Sequence, residues 1–304
     1  RIQRPRSMAR NACRALSLIA AALAAADGYR LGHRALHRSV HPQARPTLPR
    51  AAVSSSTAVE GEVAAAPTRG PPPELTIPGD TLETLPSHVA WTAASTALVL
   101  FLLGRAFLAS WAHAAIALAT ALALGDVVTA FIHFGTDNYG NMDTPVVGHV
   151  CAAFQGHHKA PWTITHRSFY NNVHKIARTA IPPTLLAAAT LPPAGAAFVA
   201  CLLYTQLLAQ EFHRWSHCLP GDLAPWQRRL QDSGLILTRA EHLRHHQAPF
   251  HAHYAIFLGA ANPALDALGV FRRLERWIYR WNGVEPNCWK EEKGGSDVRR
   301  AALR

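Results

Sequence analysis

The sequence predicts an all-α integral membrane protein with about four membrane segments and a histidine-rich di-metal cap on one face. Three features predict this. Uncharged apolar stretches reach bilayer length, 18 histidines include several groups at helical ligand spacings, and the basic residues of the body crowd the loops on one side.

The first apolar stretch runs from Val89 to Gly104, 16 residues without a charge, and after Arg105 a further 20 follow from Ala106 to Gly125. A bilayer core takes about 20 apolar helical residues. Two helices are expected, at roughly 88–108 and 112–134, joined tightly near Ser110, with Trp91 and Trp111 at the interfaces and Arg105 snorkelling. Asp126 interrupts the second helix, where an intramembrane carboxylate costs roughly 2.5–3.5 kcal/mol on insertion scales. His133, seven residues on, shares its face, so Asp126 either supports a metal ligand there or faces a wet cavity.

Thr179–Gln210 gives 32 uncharged residues with Pro-Pro pairs at 182–183 and 192–193. It is too long for one span, and "TLPPAG" reads as a turn, because proline removes a donor and blocks helix continuation. Helices are expected over about 178–191 and 195–212. A hairpin leaves the histidines before and after it on one side, and the loops 135–178 and 211–304 hold nearly all the Lys and Arg of the body.

The formal net charge of +11 is unevenly spread. Residues 1–50 hold ten arginines, no lysine and one acid, Asp27. This Arg-rich, acid-poor leader predicts an organelle transit peptide. A secretory signal beginning at Met8, or a basic tail, are the rival readings; arginines continuing beyond the short apolar run favour transit. Residues 51–87, rich in Ala, Pro, Gly and Ser, read as a disordered linker. The remaining 88–304 forms the functional domain, with no basic groove and no nucleic-acid motif. Five scattered cysteines, Cys13, Cys151, Cys201, Cys218 and Cys288, form no CxxC, which excludes a disulfide scaffold and a cysteine-ligated zinc module.

The histidines carry the chemistry. His-His-x-Ala-Pro occurs twice, at 157–161 and 245–249. "HRWSH" (His213, His217) and "HLRHH" (His242, His245, His246) place imidazoles on one helical face, and His133 and His174 lie near them. Imidazole suits iron, copper, nickel and zinc rather than calcium or magnesium. A catalytic zinc takes three protein ligands and a structural zinc four. Nine grouped histidines suit a dinuclear site at about four per metal. Pro161 and Pro249 end each His-His helix at the membrane surface.

From about 125 to 289 the chain resembles the Kua-type lipid desaturases, a family that includes plasmanylethanolamine desaturase and the plastid fatty acid desaturase 4 type enzymes. The resemblance is carried by "HFGTDNYG" (133–140), "TPVVG" (144–148), "FQGHHKAPWTIT" (154–165), "NNVH" (171–174), "EFHRWSH" (211–217), "LQDSGLILTRAEHLRHHQAPF" (230–250) and "YAIFLGAANPALD" (254–266). It is nearer the plastid branch, which forms a trans double bond between carbons three and four of a palmitoyl chain on phosphatidylglycerol. The alternatives are vinyl-ether formation in plasmalogens and a related di-iron hydroxylase.

This resemblance implies two iron ions and molecular oxygen as co-substrate. Carried over by position, the metal ligands are His133, His157, His158, His174, His213, His217, His242, His245 and His246. Asp137, at i+4 from His133, ligates or orients, and with Asp126 completes the expected catalytic set. His113, His149, His166, His251 and His253 fall outside the pattern. No nucleotide fold or haem domain is visible, so electrons come from outside: from ferredoxin in a plastid membrane, in particular the thylakoid, or from a b-type cytochrome in the endoplasmic reticulum. Arg167, Lys175 and Arg178 are candidate contacts for an anionic headgroup. A metal transporter would need polar groups through its spans, and a structural membrane protein leaves the ligand count unexplained.

Overall fold

The computed structural model describes residues 70–75 and 79–304, and among these residues there is no β-strand. The leader, and the linker as far as residue 69, lie outside the described residues.

Four long helices form an up-down-up-down bundle: α1 (Pro86–Ala109), α2 (Trp111–Asn138), α4 (Phe169–Thr190) and α5 (Pro193–His217). Between α2 and α4 lie α3 (Gly148–His157) and a 3-10 helix (Pro161–His166). Ser110 alone joins α1 to α2: its backbone is extended, and its hydroxyl accepts from the His113 N–H at the start of α2. The expected connection is therefore in place, but α2 runs four residues beyond 134, which brings Asp137 onto the same buried face as Asp126 and His133.

The break between α4 and α5 falls in "TLPPAG", as the proline argument requires. The start of α4 differs from the expected 178. Ser168 caps the helix by accepting from Asn171 N–H, and buried Phe169, Val173, Ala177, Ala180, Thr184 and Ala187 repeat every three or four positions. Pro182 and Pro183 lie inside this helix without ending it. The carbonyls they leave unbonded, of Arg178 and Thr179, belong to exposed residues.

α1, α2 and α5 are long and apolar enough to cross a membrane. α4 completes the bundle, but Asn171, Asn172, His174, Lys175 and Arg178 crowd its first half. The helices pack closely through small residues: Ala106, Ala114, Ala121, Ala196, Ala197 and Ala200 are buried beside Leu102 and Leu103. At Gly125 a Cβ would stand 2.4 Å from Thr205 Oγ1, so only glycine lets α2 and α5 approach there.

Polar contacts fix the direction of each helix. Asn172 Nδ2 donates to Gln210 O (3.1 Å) and Glu211 Oε2 (3.0 Å), joining the start of α4 to the end of α5. His88 of α1 stacks on His174 of α4 at 3.7 Å. The start of α1, the end of α2, the start of α4 and the end of α5 thus share one end of the bundle. The cap is built on that end from α3, the 3-10 helix, α6 (Pro225–Asp232), α7 (Arg239–His245), α8 (Asn262–Ala267), α9 (Val270–Asn282), α10 (Asn287–Lys290) and α11 (Gly295–Leu303). The described cysteines, Cys151, Cys201, Cys218 and Cys288, are free and buried.

This topology is tested by cysteine labelling in sealed membranes. Lys159→Cys and Arg228→Cys, both at exposed cap positions, should react from the same side, and Leu191→Cys, at the α4–α5 turn, from the opposite side.

Candidate metal centre

The end of the bundle gathers two groups of ligand atoms. One holds His157 from α3, His213 and His217 from α5, and His242 and His246 at the end of α7; the other holds His133 and Asp137 from α2, His158, and His245. In the first group five Nε2 atoms converge: His157 to His217 at 2.9 Å, His157 to His213 at 3.0 Å, His213 to His217 at 3.2 Å, His242 to His217 at 2.8 Å and His242 to His246 at 2.9 Å. In the second, His158 and His245 Nε2 lie 2.9 Å apart, and Asp137 Oδ2 is 3.3 Å from His133, 3.5 Å from His158 and 3.4 Å from His245.

Each His-His pair serves both groups. His157 and His246 enter the first, His158 and His245 the second. In both pairs the first histidine is the last helical residue and the second caps the helix. The repeated phrase therefore places two imidazoles on divergent bearings from one helix end.

The donors fit a cation. Two nitrogens bound at about 2.1 Å and at right angles stand about 3 Å apart, as the convergent Nε2 atoms do. His133 Nε2 and both carboxylate oxygens of Asp137 are buried without a hydrogen-bond partner. The tautomers are set from behind. His133 Nδ1 bonds Tyr254 O (3.0 Å) and His245 Nδ1 bonds Ala252 O (2.9 Å); a carbonyl only accepts, so each Nδ1 carries the proton and each Nε2 offers a lone pair. Burial first, then neighbouring imidazoles, hold His157 and His242 well below the usual histidine value, and push His158 down to about 2 and His246 to about 3. At neutral pH these side chains are uncharged, the form that ligates.

The remaining expected residues fall elsewhere. His174 belongs to neither group: its ring stacks on His88, and its Nδ1 bonds Asn171 O at 2.9 Å. The face of α4 that carries it turns toward α1, and Asp137 is the fourth member of the second group. Asp126 touches no ligand histidine. Its carboxylate accepts from the backbone N–H groups of Leu258 (2.8 Å), Gly259 (3.0 Å) and Ala261 (2.8 Å). It anchors the loop whose earlier carbonyls, of Ala252 and Tyr254, orient His245 and His133. Thr129 Oγ1 accepts from Ile256 N–H in the same loop (3.2 Å).

His113, His149, His166, His251 and His253 lie outside both groups. His253 bonds Glu241 Oε1 at 2.7 Å. Arg167 is unsuited to the headgroup role expected of it: it pairs with Asp80, donates to Thr81 O and Asn171 Oδ1, and leaves Lys175 at 3.5 Å from the same Asp80. The described end of the expected linker is held here too, with Trp162 Nε1 donating to Pro71 O (3.1 Å) and Asn171 Nδ2 to Thr81 O (2.6 Å).

Sequence reasoning missed the support behind the ligands. Glu211 is buried on α5 beside His213, accepts from Trp215 Nε1 (2.5 Å) and Asn172, and pairs with buried Arg214, which locks the last turns of the helix. A buried Glu-x-x-Arg-Trp within "EFHRWSH" was the available signal. The carbonyls of Ala252 and Tyr254 leave none.

Long apolar helices with two groups of histidine and aspartate donors gathered at one end are the frame of a membrane protein whose site is compatible with a metal centre. The comparisons narrow it: the family model described as a lipid desaturase domain matches residues 122–289. The chain is 36% identical over 217 residues to Fatty acid desaturase 4-like 1, chloroplastic, of Arabidopsis thaliana, covering 69% of this chain and 74% of the relative. It is 38% identical over 215 residues to Fatty acid desaturase 4, chloroplastic, of the same plant, covering 67% and 65%. Plasmanylethanolamine desaturase 1 of Mus musculus is 32% identical over 200 residues, covering 60% and 72%. No solved structure matches. The chain belongs to the lipid desaturase family.

Asp126→Ala should leave three N–H groups without an acceptor and cost on the order of 3 kcal/mol, read as a lowered thermal midpoint together with reduced metal retention. A pH dependence follows as well. The unfolded chain takes up protons below about pH 6.5, whereas His157, His158, His242 and His246 stay neutral in the folded protein until far lower, so the unfolded state binds more protons in that range. Stability of the metal-free protein should therefore fall from about pH 7 to about pH 5, as measured by thermal unfolding.

Proposed function

We propose that the chain is an oxygen-dependent desaturase that introduces a trans double bond between carbons three and four of palmitoyl-phosphatidylglycerol in a plastid membrane, in particular the thylakoid. The observation that carries this reading is the pairing of two histidine-rich ligand groups at one end of a membrane bundle, in a chain whose identity to the chloroplastic relatives, 36% and 38%, exceeds the 32% to the mouse plasmanylethanolamine desaturase.

Two iron ions in these groups, with molecular oxygen as co-substrate, would supply the oxidising power that side-chain acids and bases lack against an unactivated C–H bond. The chain's own residues do the rest. His157, His213, His217, His242 and His246 hold one position; His133, Asp137, His158 and His245 hold the other. Tyr254 O, Ala252 O and the Asp126-anchored loop keep the donor lone pairs aimed. The bundle places these groups at helix ends, so the carbons they reach lie close to the lipid headgroup. Carbons three and four satisfy that depth, as does the vinyl-ether position of plasmalogens, and the order of identities favours the former. Two electrons per turnover come from a separate donor: ferredoxin in the plastid, or a b-type cytochrome if the chain resides in the endoplasmic reticulum.

Expression in a host that makes neither product, followed by mass spectrometry with double-bond location, tests the reading. The expected product is trans-3-hexadecenoyl phosphatidylglycerol, absent in the His213→Ala and His245→Ala variants. Vinyl ethers on ethanolamine lipids, with phosphatidylglycerol unchanged, would assign the chain to the other branch, and a hydroxylated chain would make it a hydroxylase. His174→Ala should keep its metal content, whereas His213→Ala should lose metal.

A further inference from the structure

Helix α9 has two faces. Phe271 and Glu275 point inward and are buried, Glu275 accepting from Trp289 Nε1 at 2.9 Å. An outer flank presents Trp277 and Trp281, 61% and 73% exposed and stacked on each other at 5.7 Å. Exposed Leu268 precedes this stripe and Val284 follows it. Arg273 and Arg280 are exposed along its edge, and the only acid of the helix, Glu275, is buried.

The inner face of α9 rests on the end of a helix of spanning length. Phe271 packs on Phe131 at 5.5 Å and on Phe134 at 4.8 Å. Phe131 and Ile132 are themselves exposed on α2, a helix of spanning length, in the turn that leads into His133. α9 is thereby held at the level where α2 leaves the apolar layer. We propose that α9 lies in the lipid–water interface of the leaflet nearest the two ligand groups, with Trp277 and Trp281 at the boundary between headgroups and acyl chains and Arg273 and Arg280 against anionic headgroups. Tryptophan's apolar ring with one N–H, and arginine's long stem with a charged end, suit that boundary, and a helix with one apolar and one basic edge is the form that occupies it. Seated there, α9 fixes how far the ligand groups stand above the acyl chains, whichever lipid is oxidised.

The test uses the full chain in phosphatidylcholine vesicles containing phosphatidylglycerol. Tryptophan emission of the wild type minus that of W277F/W281F isolates the two rings. Both sites are exposed and phenylalanine keeps them apolar, so the fold is preserved; the single variants W277F and W281F supply the same comparison if the double variant fails to reconstitute. The expected result is loss of the difference emission with lipids brominated near the carboxyl end of the chain, weaker loss with bromine near the methyl end, and little effect of aqueous iodide. Quenching by iodide and not by bromine would put the stripe in water and overturn the proposal. Quenching by neither would mean that a second copy or another protein covers it, and would overturn it equally.

Discussion

Five imidazole Nε2 atoms lie 2.8–3.2 Å from their neighbours at the end of this bundle, a crowding that a cation drawing on their lone pairs would relieve. Bringing them there costs desolvation, which the surroundings must withstand before any cation arrives. The neighbouring structure is accordingly stiff. Glu211, Arg214, Trp215 and Asn172 fix the last turns of α5. Asp126 fixes a loop by three backbone bonds, and that loop fixes two imidazole tautomers. The close α2–α5 contact at Gly125 sets the separation of His133 and His213, whose rings lie 6.0 Å apart.

Much of this was legible in the sequence because it rests on local periodicity. Charge-free runs marked α1, α2 and α5, a proline pair marked the hairpin turn, and of the nine histidines singled out in the sequence eight stand together in the two groups. His174 is the one that stands apart: its end of the bundle is that of the groups, and the rotation of α4 turns its ring to His88. Asp137 reaches the second group through four additional helical residues. The start of α4 was hidden because Pro182 and Pro183 look like breakers, and exposure of the carbonyls they free is a tertiary fact. Asp126 was legible as anomalous but not as a loop anchor, since its partners lie more than 130 residues away.

Placement of the chemistry follows from placement of the charges. The bundle interior is built largely from alanine and leucine, and the histidines of the two groups collect where helices end. Lipid carbons deep in the apolar layer are remote from such a site, and those beside the headgroup are near it. The same division explains why the family resemblance lies mostly in loops and helix termini: those segments carry the ligands, whereas the spans need only small or apolar residues to pack.

The crosswise sharing of the two His-His pairs has a mechanical consequence. Adjacent Cα atoms are about 3.8 Å apart whatever the surroundings, and each pair sends one side chain to either group. The spacing of the two donor groups is therefore tied twice by covalent geometry, from opposite sides, and only secondarily by how tightly the helices pack. A tilt or loosening of the bundle would then carry the two groups together.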